Sequence, residues 1–174
     1  TVPENMLKRC IPPLGLSYIA ANLEKHGIDV SMIDCAVEGH STERDAGDGL
    51  ITYGSYPEET GDPTRRTAPA VIGISVLFST DIGNLIETCG IVRSIDESIV
   101  IVAGGLHPTI YPQDIVERAQ VPGSDDHIVD FVIRGEGEHR FLDFVRNLEQ
   151  GLVDKNADGL VGRFDGEWVY SHQR

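Results

Sequence analysis

Three stretches bring together residue types better suited to holding a ligand than to transforming one: Ser75–Thr80, Gly104–Thr109 and Gly135–Glu138. Within them stand Ser75, Ser79, Thr80, Gly104, Gly105, His107, Gly135 and Glu136. Glycines and short hydroxyl side chains with few ionisable groups between them suit a large planar cofactor, gripped through backbone contacts and short hydrogen bonds. The Gly104-Gly105 pair removes two Cβ atoms, so a flat molecule can lie on the main chain; the same pair also serves a tight turn. His107 is the most reactive group here, and it either acts on a ligand or satisfies neighbouring backbone groups. Glu136 suits a ligand hydroxyl or amide as well as it suits plain solvation.

Other chemistries lack their residues. There is no GxSxG, no Walker lysine, and Gly135-Glu136-Gly137 lacks the third glycine of a dinucleotide loop. Cys10, Cys35 and Cys89 are widely spaced and form no CxxC or CxxxCxxC, which points to reduced thiols and to no zinc or iron–sulfur site within this chain. Asp154-Lys155-Asn156-Ala157-Asp158-Gly159, with Val161 and Asp165 beyond, imitates a calcium loop. It leads into a hairpin instead of a helix and ends on Asp, so an Asx-rich turn is the expectation. No catalytic residue and no metal ligand is assigned.

For the three stretches to meet, each must leave the same edge of one sheet. Ala70–Phe78, Ile99–Ala103 and Ile128–Ile133 are continuous apolar runs, the pattern of strands buried on both faces, and each is followed by one of the stretches. Helices are expected from Leu14 to a Gly27 cap, over Ile82–Ser94 behind an Ser79-Thr80-Asp81 cap, over Tyr111–Ala119 beyond a Leu106–Thr109 turn, and over His139–Gln150. Ile28–Ile33 reads as a short strand, and Leu160–Tyr170 as a hairpin about Asp165-Gly166. Residues 35–69 lack any period and read as a solvated insertion, with a short helix capped by Ser55 and ended by Pro63. The expected fold class is α/β, a doubly wound, mostly parallel sheet with a C-terminal β-hairpin. The strand that should precede the first helix is missing or reduced to Thr1-Val2, so a longer parent chain is expected.

The chain has 174 residues and a formal net charge of -14, with 40% hydrophobic and 24% charged residues. This supports one full core and argues against nucleic acid or an anionic membrane surface as partner. With no long apolar run and no apolar leader, a cytoplasmic setting is expected.

Taken jointly, Pro12-Pro13-Leu14-Gly15-Leu16-Ser17-Tyr18-Ile19-Ala20, Val71-Ile72-Gly73-Ile74-Ser75, Gly104-Gly105-Leu106-His107-Pro108-Thr109 and Arg134-Gly135-Glu136-Gly137-Glu138 resemble the N-terminal cobalamin-binding, Rossmann-like domain of radical SAM enzymes. Ser75-Val76-Leu77 is similar to the SxL element of such domains, and Gly104-Gly105 to their GG element. The resemblance implies a corrinoid against the strand ends, its nucleotide tail contacted by Ser75 and given room by Gly104 and Gly105. It also implies Leu14, Gly15, Leu77, Ser79, Thr80, His107, Gly135 and Glu136 around ring or tail. The DxHxxG motif that supplies a cobalt ligand in cobalamin mutases is missing, since Asp125-Asp126-His127 lacks its glycine and stands before the last strand. A cobalamin without histidine ligation is therefore implied. A [4Fe-4S] cluster and S-adenosylmethionine would belong to a radical SAM barrel in the same parent chain, a methyltransferase or tetrapyrrole cyclase. Residues 1–152 would form the binding domain, with 35–69 inserted, and 153–174 a hairpin leading towards the barrel. From the residues alone, a flavodoxin-like or receiver-like module, with Phe78 and Tyr111 beside a flavin, stays open.

Overall fold

The computed structural model describes residues 2–3 and 11–172; Cys10 and Thr1 lie outside the described residues. In chain order the elements are β1 (Val2–Pro3), α1 (Leu14–Lys25), α2 (Cys35–Glu38), β2 (Glu43–Gly47), β3 (Leu50–Tyr53), α3 (Pro57–Thr67), β4 (Val71–Ser75), a 3-10 turn (Ser79–Asp81), α4 (Ile82–Ile95), β5 (Val100–Gly104), α5 (Leu106–Ile110), α6 (Pro112–Arg118), β6 (Phe131–Ile133), α7 (Gly137–Glu149), β7 (Leu160–Phe164) and β8 (Glu167–Tyr170).

The main sheet has the order β4-β5-β6-β7-β8. β4, β5 and β6 run parallel, and the hairpin β7-β8 joins β6 antiparallel. Alternate side chains leave opposite faces. Ile72, Ile74, Ile101, Ala103 and Val132 pack with α4 and α6, whereas Val71, Val100, Val102, Phe131 and Ile133 pack with α7. Burial on both faces is why β5 and β6 are uninterrupted apolar runs; β4, expected to be buried as well, packs on both layers but is only half covered, with Gly73 and Ser75 exposed, and cover on the two faces makes the sheet doubly wound. Each fully buried Ile or Val contributes about 1.5–3 kcal/mol, which fixes the register of the parallel strands and so the relative height of the loops that follow them. The hairpin turns through Asp165 (φ +52°) and Gly166 (φ +87°), the paired left-handed geometry that Asp-Gly favours.

Several local expectations give way to tertiary structure. Ile28–Ile33 forms no strand. Alternating apolar residues record which side chains seek a core, but a strand also needs a hydrogen-bonding neighbour, and none pairs with this stretch among the described residues. Val2 pairs with Ile51 of β3, in a small separate sheet, and not with the main one. Residues 35–69 hold α2, whose first turn Asp34 caps through the amides of Ala36 and Val37, the largely exposed β2-β3 hairpin, and α3. α3 starts after Tyr56, whose amide donates to the Glu59 carboxylate at 2.9 Å, and it continues through Pro63. The proline removes one helical donor; contact with α4, where a Cβ on Gly61 would lie 3.5 Å from both Ile91 and Ile95, compensates. Leu106–Thr109 is helical, within α5, and not an open turn. Asp154 accepts the Asn156 amide at 2.9 Å and Asp158 pairs with Arg140, so the calcium-like loop is an Asx turn. Among the described residues no cluster could hold a metal ion, and no helix is long and apolar enough to cross a membrane.

Cys89 lies on α4 with no exposed surface, and burial pushes its thiol up to about 12. Cys89 is therefore expected to escape iodoacetamide at pH 8 in the folded protein and to react after denaturation, as read by peptide mass. Labelling at the rate of a free thiol before denaturation would show that the α4 face of the core is open.

Candidate functional site

Because β4, β5 and β6 point the same way, residues 75–80, 104–109 and 134–137 leave adjacent strand ends and lie side by side. Main-chain bonds brace the first two loops: the Val76 amide donates to Gly104 O at 2.8 Å, and the His107 amide to Val76 O at 3.1 Å. Thr109 braces the second to the third, donating its hydroxyl to Gly105 O (2.7 Å) and accepting from the Gly135 amide (2.8 Å).

The two glycines differ in what the chain itself demands of them. Gly105 has φ +102°, and a Cβ there would stand 2.7 Å from Val76 O, so the braced turn admits no side chain. At Gly104 a Cβ would meet only Ile133 O at 3.6 Å, an ordinary contact. Among the described residues no contact of a Cβ requires glycine at 104. By the alternation of the sheet, Gly104 and exposed Ser75 share the face on which Gly73 meets Phe141.

His107 is 5% exposed, and side chains occupy both ring nitrogens. Ser79 Oγ lies 2.9 Å from Nδ1 and Asp114 Oδ2 lies 3.1 Å from Nε2, with the Tyr111 ring tilted by 38° at 5.4 Å between centroids. Asp114 also accepts from Arg118 Nε at 2.7 Å. Arg118 chiefly, and His107 with it, holds the Asp114 carboxyl below the usual carboxylate range. His107 thus reaches the crevice through the Ser79 hydroxyl. Ser79-Thr80-Asp81 makes no side-chain cap on α4, contrary to expectation: the three residues form a 3-10 turn that runs into the helix, Asp81 at the cap position is itself in helical geometry, and the Ser79 hydroxyl bonds to His107.

Leu77, Thr80 and Glu136 are exposed along this edge; Thr80 reaches only Asp81, at 3.4 Å, and Glu136 makes no side-chain cap on α7. Leu14 and Gly15 open α1, which packs on α7 with Ile19 beside Gly137 and Asn22 Nδ2 donating to Glu138 O at 2.6 Å. That packing carries the first turn of α1 to the same edge. Sequence reasoning missed Thr109 and Asp114, whose signal was two short polar groups closely following His107. It also missed the exposed Leu106 and Ile110, and weighed Phe78 and Tyr111 only for a flavin. The Asp125-Asp126-His127 look-alike stands at the opposite, amino end of β6, where His127 accepts the Trp168 indole N–H at 3.3 Å.

The edge offers small residues on an open strand end, a rim of exposed Leu14, Leu77, Phe78, Leu106, Ile110 and Tyr111, and few ionisable groups. Such an arrangement holds a broad, largely apolar molecule and supplies little proton chemistry. A corrinoid, flat and fringed with amides, fits this composition. A cleft of about 110 Å³ between α7 and residues 153–160 is below the ~300–1,000 Å³ of ligand sites, and its Arg140 is engaged by Asp158.

Fold and edge together define a doubly wound α/β domain with a candidate ligand site where the parallel strands end. The chain belongs to the B12-binding domain family, whose model matches residues 5–145, and cobalamin is accordingly the cofactor of this unit. It is similar to cytidylyl-2-hydroxyethylphosphonate methyltransferase of Streptomyces wedmorensis, 31% identical over 159 residues, covering 90% of this chain and 28% of that protein. It is also similar to anaerobic magnesium-protoporphyrin IX monomethyl ester cyclase of Synechocystis sp., 26% identical, covering 93% and 28%. In fold it resembles the radical S-adenosylmethionine methyltransferase TsrM of Kitasatospora setae, solved with cobalamin and a [4Fe-4S] cluster, with TM-score 0.69 and 18% identity over 99% of this chain and 28% of that one. The chain spans less than a third of each of these proteins. Family membership sets aside the flavodoxin-like and receiver-like readings.

Proposed function

We propose that this domain holds cobalamin against the carboxyl ends of β4, β5 and β6 and presents it to a radical SAM catalytic domain of a longer cytoplasmic protein, where a [4Fe-4S] cluster and S-adenosylmethionine reside. The observation that carries the placement is Gly104, glycine at a strand end where a Cβ would make only an ordinary contact with the chain itself. Bound there, cobalamin supplies a cobalt centre for group transfer or radical chemistry. Ser75 offers a hydroxyl to the nucleotide tail, and Gly104 leaves that tail its space. Gly105 keeps the two loops close, while Gly135 and Glu136 close the third side. Leu14, Gly15, Leu77, Ser79 and Thr80 line ring or tail, and the apolar rim excludes water from the face turned to the catalytic domain. Residues 1–152 act as the binding unit and 153–174 as the passage towards that domain. Relatives named as a methyltransferase and a cyclase support these two classes of parent activity.

The test is an absorption titration with hydroxocobalamin followed by gel filtration. One corrinoid per chain is expected to travel with the protein, with a spectrum lacking nitrogen ligation below the cobalt. Colour that separates completely from the protein, in this chain and in the parent enzyme alike, refutes the placement.

A further inference from the structure

Ser79, His107 and Asp114 form one hydrogen-bonded chain from the helix surface to the candidate site, and its order gives it a direction. Asp114 is held in its charged form by Arg118, so at neutral pH it is an acceptor only. Its partner at 3.1 Å, His107 Nε2, must then carry the proton. A neutral imidazole protonated at Nε2 presents a bare lone pair at Nδ1, and the Ser79 hydroxyl 2.9 Å away must donate into it. With its only proton turned inward, the exposed Ser79 Oγ can show the crevice nothing but lone pairs.

We infer that the Asp114–His107 pair fixes Ser79 as an obligate hydrogen-bond acceptor and so selects an amide N–H, over a carboxylate, on the rim of the bound corrinoid. This rests on the cobalamin reading above. His107 and Asp114 are positioning residues, and Ser79 is the contact. A free serine hydroxyl would serve an amide N–H and a carboxylate alike by rotating, whereas one locked as acceptor meets a carboxylate lone pair to lone pair. The groups facing His107 are Ser79 from the 3-10 turn, Tyr111 at the α5–α6 junction, and Asp114 on α6 with Arg118 behind it; among the described residues no other charged group is bonded to the ring.

The probes are hydroxocobalamin and the set of its monocarboxylic acids, each with one peripheral amide hydrolysed, titrated against the parent, Ser79→Ala and His107→Phe. For one member of the set the parent is expected to bind at least about tenfold more weakly than it binds hydroxocobalamin at pH 8, and Ser79→Ala to lose most of that difference. Ser79→Ala should bind hydroxocobalamin itself some 2- to 12-fold more weakly, the range of one net hydrogen bond. In His107→Phe the hydroxyl is free to rotate, so the ratio of hydroxocobalamin affinity to that of the discriminated acid should fall towards the Ser79→Ala value, whatever the absolute affinity. Long-range proton–nitrogen spectra of the cofactor-free domain should show the His107 ring proton on Nε2 and a bare Nδ1. Equal discrimination in the parent and Ser79→Ala, or a proton on Nδ1, overturns the inference and leaves the cobalamin reading intact. A parent that retains no corrinoid at all overturns both.

Discussion

Gly104→Val is expected to weaken hydroxocobalamin binding by roughly tenfold to a hundredfold while leaving the denaturation midpoint almost unmoved. The expected loss is the ~1–3 kcal/mol of forcing extra methyl groups into an occupied space, read against ~1.4 kcal/mol per decade of affinity. The fold should tolerate the change, because β5 is an ordinary strand at this point and a Cβ there meets only Ile133 O at 3.6 Å. A β-branched residue also suits a strand end. Gly105→Ala is the control with the opposite signature. Its positive φ and the approach to Val76 O at 2.7 Å should cost about 3 kcal/mol of stability, with ligand loss following from the distorted turn. Urea denaturation and corrinoid titration of both variants give the answer. If Gly104→Val binds as the parent does, the space at Gly104 is not where the ligand lies.

The second large effect lies at the other end of the sheet. Asp130 accepts from Arg93 Nη2 at 2.5 Å and from the Ile101 amide at 2.7 Å, while Arg93 Nη1 donates to Glu97 O and Ile99 O. This clamp joins the C-terminal end of α4 to the amino ends of β5 and β6. The side chains are 18% and 34% exposed, so the several kcal/mol of a wholly buried pair must be discounted for solvent. Asp130→Ala, which also strands the Ile101 amide, is expected to cost about 2–3 kcal/mol, or roughly 5–10 °C in Tm for a chain of this size. Corrinoid affinity should stay within about twofold of the parent, because the clamp and the site occupy opposite ends of β5. A thermal melt shifted by less than 1 °C would show the pair to be idle.

What the sequence makes legible follows from which forces write locally. Val100–Gly104 and Phe131–Ile133 are buried on two faces and Val71–Ser75 packs half-covered beside them, so each announces itself as an apolar run, and the glycines that follow the two buried runs mark the loops of the candidate site. The bracing among those loops is not written locally. Ser79 stands where a helix cap belongs, and only the fold brings His107 within reach of the same hydroxyl. Ile28–Ile33 shows the converse, a strand pattern without a strand, because a side-chain pattern does not say whether a neighbouring backbone is available. α3 running through Pro63 shows packing on α4 outweighing one missing donor.

β4 carries Ser75 and leads into Ser79, yet among the described residues it stands at the end of the main sheet and is bonded to β5 alone. A strand held on one side opens at a lower free energy than its neighbours, so the loop bearing those two hydroxyls sits on the most weakly protected backbone of the parallel set. A ligand that bridges this loop to the Gly104-Gly105 turn binds only the closed form, and its binding free energy then adds to the protection of β4 against hydrogen exchange. A cofactor held there would become part of what keeps this edge of the sheet folded.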